Sequence, residues 1–291
     1  LMKLEHYGVR GIPLLWFKNY LTERKQFVQY QKYESDLQEI KYGVPQGSVL
    51  GPLLFLIYIN DLVSCLNVCK AIIFADDTTI YVTGKNKKDL IFELTNDLIC
   101  LKEWFDTSKL SLNISKTNYM VFHPKRVRIE TVNDEYVLLI GNETINEVPS
   151  VKFLGLYLDR NLEWTEHFKI LHRKLGRANY LLNSVKNIIP KKIMRTLYHS
   201  LFYSHMMYGL FLWGPSMLSC NKNKLFKAQK KAIRIISGAQ YNASTDALFV
   251  DLNLLKLADM IDLEMLKLMY LFSKNALPQS MVSVFTVNRL T

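Results

Sequence analysis

Residues 71–82 read Ala71-Ile72-Ile73-Phe74-Ala75-Asp76-Asp77-Thr78-Thr79-Ile80-Tyr81-Val82, two apolar runs with a pair of adjacent acids between them. The runs predict strands and the acids predict the turn that joins them. Two neighbouring carboxylates at the tip of an apolar hairpin repel one another, and they leave water at a cost unless something positive sits between them. A divalent metal ion is the usual solution. The stretch is therefore either an acidic turn, which Asp favours on its own account, or half of a metal site.

Moving outward, Gly43-Val44-Pro45-Gln46-Gly47-Ser48-Val49-Leu50-Gly51-Pro52 is a Gly- and Pro-rich loop that runs into the apolar stretch 53–59. The stretch predicts a helix buried all round, with Ser48 as its N-cap and Pro52 in its first turn. Exposed N–H groups at such a loop-to-helix junction can receive phosphate. On the other side, an amphipathic helix is predicted from about Lys88 to Phe105, then an extended segment or strand pair over 110–122 that passes through Asn113, Lys116 and Thr117. Residues 1–24 read as helical, and 26–31 with 37–42 as a hairpin around Glu34-Ser35-Asp36. Residues 124–150 are polar and read as a surface hairpin or insertion, and Val151 to Leu158 as a strand or hairpin with one glycine. Past Asn161 the spacing is helical, with periodic stretches at 168–188, 191–213, 223–237 and 254–272.

The 291 residues carry a net charge of +11, and the charge is not evenly spread. From Arg160 to Arg234 there are 15 Lys or Arg against 2 acids, a local net charge of +13, so the remainder sums to −2. The whole basic excess thus belongs to one helical region, which suits a polyanion as partner, although a solvated helical surface would look the same in composition. The 4 cysteines show no metal-ligand spacing and read as reduced, mostly buried thiols. No signal peptide opens the chain, so it reads as intracellular, nuclear or cytoplasmic, and not secreted. Residues 196–219 lack Lys, Arg, Asp and Glu and are long enough to span a bilayer. Their His, Ser and Pro content, with basic residues on both flanks, predicts a buried core helix and no membrane contact.

Carboxylates for metal, amides and a cation for phosphate, and a basic helical face for a polyanion together suit phosphoryl transfer to a nucleic-acid 3′ end. Gly43-Val44-Pro45-Gln46-Gly47-Ser48, Phe74-Ala75-Asp76-Asp77, Leu112-Asn113-Ile114-Ser115-Lys116-Thr117 and Phe153-Leu154-Gly155 stand in this order. The order and spacing resemble the reverse transcriptases of non-LTR retrotransposons of the Jockey and CR1 type. Weaker likenesses lie in Tyr20-Leu21-Thr22-Glu23-Arg24-Lys25-Gln26-Phe27-Val28, in Ser204-His205-Met206-Met207-Tyr208-Gly209 and in Ala228 to Ile236, so the resemblance covers nearly the whole chain.

The resemblance implies an α+β fold: a polymerase palm, with an antiparallel sheet and packed helices, over 1–159, and a basic helical thumb and C-terminal region over 160–291. It implies RNA-directed DNA polymerase activity, in which two metal ions assist transfer of dNTPs to a primer 3′ end. The implied ions are Mg²⁺, with Mn²⁺ as the alternative, and the implied partners are an RNA template, a DNA primer and dNTPs, with no small-molecule cofactor. Asp76 and Asp77 resemble the metal-binding carboxylates. Gln46, Gly47 and Ser48 resemble the loop that lies against template and incoming nucleotide. Lys116 resembles the lysine near the leaving pyrophosphate. Phe153, Leu154 and Gly155 resemble the primer grip, and Phe153 could equally be core packing.

The family also uses a third carboxylate, from a strand in a motif earlier than the part matching residues 1–11. The 291 residues are therefore expected to be a C-terminal fragment, inactive or nearly so by itself. The alternative expectation is a catalytically inactive retroelement remnant that binds nucleic acid through its basic helices.

Overall fold

The computed structural model describes residues 1–124 and 137–282, and it divides them into two compact units. The first comprises residues 1–118 and the described part of 130–146; the second comprises the described part of 119–129 and residues from 147 onward. Packing thus groups the 150–159 hairpin with the helices that follow it, whereas composition switches only near residue 160. Among the described residues no helix is long and apolar enough to cross a membrane.

The first unit is mixed in secondary structure. Helices Met2–His6 and Ile12–Leu21 take up most of the predicted N-terminal helix, interrupted at Gly8 and Gly11, which both have positive φ. Lys3 fastens the first of them, donating from Nζ to the Tyr58 carbonyl at 2.6 Å and to Asp61 at 2.7 Å. The next hairpin is shorter than predicted and turns earlier. Residues 25–26 pair with 38–39, and 29–30 with 33–34, so the chain reverses at Gln31-Lys32 and not at 34–36. Helix Leu50–Ile59 buries only Gly51, Leu54 and Ile59, while Leu53, Leu56 and Tyr58 are exposed, so the expectation of all-round burial fails. The amphipathic helix is Lys87–Thr107, with Ile91, Leu98, Leu101 and Phe105 on its buried side. Residues 110–122, expected to be extended or paired strands, instead contain a 3₁₀ turn at Ile114–Lys116 and a two-residue strand at Asn118–Tyr119.

Of the surface hairpin or insertion expected over 124–150, the hairpin is found and the surface placement is corrected. Residues 125–136 lie outside the described residues; 139–140 and 143–144 form a tight antiparallel ladder, with Leu139 opposite Thr144 and Ile140 opposite Glu143, and 146–147 pairs with 118–119. Leu138, Ile140 and Ile145 are buried, and the 139–140 strand packs on helix Lys87–Thr107. A polar average concealed three apolar residues spaced to face one way.

The α+β class is what the structure shows, with mixed helices and short antiparallel ladders. Among the described residues the strands form six separate two-stranded ladders and no wider sheet. The four thiols are free, and only Cys69 is buried; Cys65 and Cys100 are half-buried and Cys220 is exposed.

From Thr165 to 282 the second unit is helical, with long helices at Thr165–Val185, Ser219–Ser237 and Leu257–Ser273. Helix Thr165–Val185 buries Phe168, Leu171, Leu175, Ala178 and Leu182, a stripe at three and four spacing, and packs against Ser219–Ser237. The uncharged segment 196–219 supplies a stripe of the core, but it is not the one buried helix expected: it breaks at Tyr208–Gly209, and Tyr208, Leu212 and Leu218 are exposed. Tyr198, Phe202, Met206, Leu210 and Trp213 are all completely buried. A stripe repeating every four residues drifts off one face of an α-helix, and a π-helical turn at His199–Tyr203 absorbs the drift. Gln229, also completely buried, ties three elements together. Its amide donates to the Leu255 carbonyl at 2.9 Å and to the Tyr198 hydroxyl at 3.2 Å, and accepts the Leu257 N–H at 2.9 Å.

His167 is buried beside Trp164, Phe168 and Trp213, and neither ring nitrogen has a hydrogen-bond partner. Burial, with the nearby Lys174 charge, pushes its pKa down to about 4. The folded state therefore resists a proton that the unfolded chain accepts, so stability is lost as pH falls from 6.5 toward 4. The full loss is about 3 kcal/mol. His167→Phe should remove that share: denaturation at pH 7.5 and pH 5 should show a smaller drop in the variant than in the wild type, the remainder coming from His199 and His205, which burial also pushes down. An equal drop in both would place the acid sensitivity elsewhere.

Candidate functional site

The acidic stretch folds as a five-residue antiparallel ladder, Lys70–Phe74 with Asp77–Tyr81, in register from Lys70 opposite Tyr81 to Phe74 opposite Asp77. Ala75 and Asp76 form the two-residue turn, with Ala75 in the left-handed region at φ 52°. Asp76 and Asp77 are both exposed, and neither side chain has a hydrogen-bond or ion-pair partner among the described residues. The hairpin is not apolar-buried on both faces: Ile73 is half-buried, but Ile72 and Phe74 are exposed.

The hairpin is anchored at its base by a residue that pattern reading missed. Asp97, 1% exposed, lies mid-way along helix Lys87–Thr107. Its carboxylate accepts the backbone N–H groups of Asn67 at 2.9 Å, Val68 at 3.0 Å and Cys69 at 2.7 Å, and the Asn67 side-chain amide at 3.2 Å. Burial alone would raise this carboxyl, but the Cys69, Asn67 and Val68 amides and the Cys69 thiol outweigh it and hold the pKa at about 2. The same thiol is pushed up to about 12 by burial and by the carboxylate it faces. A charged residue on the buried side of a helical period was the readable signal.

The Gln46 loop lies in the same unit. Gln46 and Gly47 are exposed, and Gly47 has φ +79° with open space around it, so conformation and not crowding requires glycine there. Ser48 does cap the helix: its hydroxyl accepts the Gly51 N–H at 3.0 Å and donates to the Pro45 carbonyl at 2.8 Å. Arg24, quoted above only within a motif, holds the entrance of the loop by donating to the Gly43 carbonyl at 2.5 Å.

Lys116 is exposed at the end of a turn built around Asn113. The Asn113 carbonyl accepts the Lys116 N–H at 3.1 Å and the Thr117 hydroxyl at 2.9 Å, and its side chain accepts Ser115 at 2.7 Å. Asp76, Asp77, Gln46 and Lys116 thus occupy three separate segments of one unit, and no hydrogen bond or ion pair links them to each other. Phe153, Leu154 and Gly155 belong to the second unit. There Ser150–Phe153 pairs with Leu156–Asp159, and Leu154-Gly155 is the turn. Phe153 is half-buried and is not part of the main core.

Two adjacent oxygen donors, exposed and not neutralised by a side-chain cation, are the donor chemistry that hard divalent cations take. Among the described residues no three His, Cys, Asp or Glu side chains converge as a metal cluster.

In the second unit, the basic residues lie largely on solvent. Arg173, Lys174 and Arg177 are exposed on helix Thr165–Val185, Arg173 and Arg177 turned away from its buried stripe and Lys174 at the stripe's flank, and Lys222, Lys224, Lys227 and Lys231 are exposed on helix Ser219–Ser237.

A family model described as Reverse transcriptase (RNA-dependent DNA polymerase) matches residues 1–158. The chain is 28% identical over 254 residues to the probable RNA-directed DNA polymerase from transposon X-element of Drosophila melanogaster, with 84% of this chain and 27% of that protein covered. It is 27% identical over 253 residues to the RNA-directed DNA polymerase from mobile element jockey of the same organism, covering 83% and 27%. A third relative, the probable RNA-directed DNA polymerase from transposon BS, is 29% identical over 261 residues, covering 86% and 27%. The chain therefore spans about a quarter of the length of these curated relatives. No solved structure matches it significantly.

Proposed function

Because the chain belongs to the reverse transcriptase (RNA-dependent DNA polymerase) family, we propose that it carries part of the machinery for metal-dependent, RNA-templated addition of dNTPs to a primer 3′ end. The observation that carries this reading is the exposed Asp76-Asp77 pair on its anchored hairpin, inside the segment the family model matches. Asp76 and Asp77 would hold Mg²⁺ through their carboxylate oxygens. A bound divalent ion supplies positive charge for attack of the primer hydroxyl and for departure of pyrophosphate. Lys116 adds a mobile cation for the pyrophosphate. The Gln46-Gly47-Ser48 loop offers a backbone without bulk to the nucleotide and template, and the Phe153-Leu154-Gly155 turn acts as the primer grip. Residues 1–159 then serve as palm, and the basic helices beyond as a thumb that holds duplex through phosphates.

The assay is extension of a DNA primer on an RNA template with Mg²⁺, run on a chain at the length of its relatives. Product should require Mg²⁺ and vanish with EDTA; no template-directed product under these conditions would overturn the reading.

The basic helical face also supports a second reading, nucleic-acid binding without chemistry, which predicts binding but no extension. Both readings share one expectation. Affinity for duplex should fall with salt, with a slope of log K on log salt of roughly −4, and replacing Arg173, Lys174 and Arg177 together by Ala should flatten that slope by about 2 to 3. A slope near zero in a fluorescence titration would remove this face from either reading.

A further inference from the structure

The helical segment that breaks at Tyr208 reaches the 150–159 hairpin within the same unit. Tyr208 has extended backbone, and Gly209 after it is left-handed, so the helical run stops and restarts there. The Tyr208 hydroxyl donates to the Leu154 carbonyl, at the tip of the hairpin. Its ring lies over the other turn residue: a Cβ placed on Gly155 would meet the ring at 3.1 Å and the hydroxyl at 3.3 Å. The backbone of Tyr208 is itself held from the core, because the indole N–H of the fully buried Trp213 donates to its carbonyl at 2.9 Å. Leu156, the first residue after the turn, packs into the same core and would lie 3.0 Å from a Cβ on Gly209.

The turn needs such a hold. Leu154 has φ 44° and Gly155 φ 88°. Positive φ at both central residues is the backbone of a tight hairpin turn, and a branched residue such as leucine adopts it at a cost. A donor on the Leu154 carbonyl and a ring against Gly155 fix the two peptides that the strain would otherwise release.

We propose that Tyr208 is the positioning residue of the Phe153-Leu154-Gly155 turn, transmitting the placement of the helical core through Trp213 to the strained tip, with Gly155 retained to admit its ring. The catalytic consequence rests on the reading of this turn as the primer grip: Tyr208 then sets where the primer 3′ end lies without touching it. Tyr208 is half exposed, at 55%, so its replacement does not open the core.

Tyr208→Phe keeps the ring and removes only the hydrogen bond; Tyr208→Ala removes both. The first readout is hydrogen exchange of the 150–159 hairpin in the 291-residue chain. We expect exchange at Phe153 and Leu156, which pair across the turn, to rise roughly fivefold in Tyr208→Phe, as loss of a single hydrogen bond allows, and further in Tyr208→Ala, with exchange across helix 165–185 unchanged. Unchanged exchange at the turn in both variants overturns the proposal. Gly155→Ala is the reciprocal test: its effect on turn exchange should be smaller in the Tyr208→Ala background, where the ring is gone, and an equal effect in both backgrounds overturns the role given to the ring. The second readout is primer extension at the length of the relatives. A lowered kcat, with the Kd for primer–template within about a factor of two, supports the catalytic consequence, because misplacement costs rate and not binding. Faster exchange at the turn with wild-type kcat keeps Tyr208 as the clamp and overturns the grip assignment instead.

Discussion

Asp76→Asn is expected to lower Mg²⁺-dependent primer extension by roughly 10³-fold in a chain at the length of the relatives, the rate equivalent of losing several kcal/mol of metal-supplied charge stabilisation. The size follows from the chemistry of the group removed. A carboxylate oxygen is a strong ligand for a hard cation, and the isosteric amide is a weak one. The structure makes the outcome readable. Asp76 is exposed, lies in a turn and has no hydrogen-bond or ion-pair partner among the described residues, so its replacement should shift stability by no more than about 0.5 kcal/mol. Loss of extension then cannot be laid to unfolding. Primer–template affinity, governed by phosphate contacts, should stay within about a factor of two. Extension at the wild-type rate by Asp76→Asn would show that the hairpin is an acidic turn after all.

Asp97→Ala is expected to destabilise the first unit by about 3 kcal/mol, a large effect for a residue that no catalytic motif contains. Removing the carboxylate leaves the N–H groups of Asn67, Val68 and Cys69 without the acceptor they share, the buried Cys69 N–H at the greatest cost, about 1 kcal/mol for each bond lost. Asp97→Asn keeps one acceptor oxygen and should lose about half as much. The pH dependence provides an independent check. The carboxyl is held at about 2 against 3.8 for a free Asp, so its contribution is complete above 3.8 and is lost as pH falls toward 2. It amounts to roughly 2 kcal/mol. Denaturant melts between pH 5 and pH 2 should show that loss in the wild type and not in Asp97→Ala. Equal acid sensitivity in both proteins would mean that the anchor lies elsewhere.

The second substitution also bears on the site. Residues 67–69 lead directly into the strand that ends at the Ala75-Asp76 turn, and a two-stranded ladder is marginal alone. The proposed metal ligands stand on a ladder whose base is tied to a helix through one buried carboxylate. Amide exchange across 70–74 should therefore rise in Asp97→Ala, while the helices of the second unit stay protected.

Much of this was legible along the chain because the signals were local. The acidic pair, its flanking strands and the capping serine each depend on neighbours within a few residues, and each is found where the pattern put it. The stripe on helix Thr165–Val185 was legible because a helical period commits one face to the core. The misses share a physical cause as well. The hairpin at 25–39 turns earlier than composition implied because pairing register, not turn propensity, chose Gln31-Lys32. The 137–150 segment looked like surface because its average is polar, while three apolar residues, Leu138, Ile140 and Ile145, do the packing. Helix Leu50–Ile59 looked buried because it is apolar, yet only one side of it finds partners among the described residues.

What the sequence by itself determined is the chemical inventory: two adjacent carboxylates on a hairpin, a glycine-bearing loop before a helix, a lysine followed by a hydroxyl, and a basic helical region. Each is a matter of residue type and short spacing, and these same motifs carried the family likeness. What only the tertiary structure decided is what holds them. Asp97 reaches back to residues 67–69, Arg24 forward to Gly43, Tyr208 back to Leu154, and Gln229 joins three separate helical elements. These are single polar atoms meeting across tens of residues, where no periodicity connects the partners. A buried polar group must find a partner wherever the fold supplies one, and the identity of that partner exists only once the chain has folded.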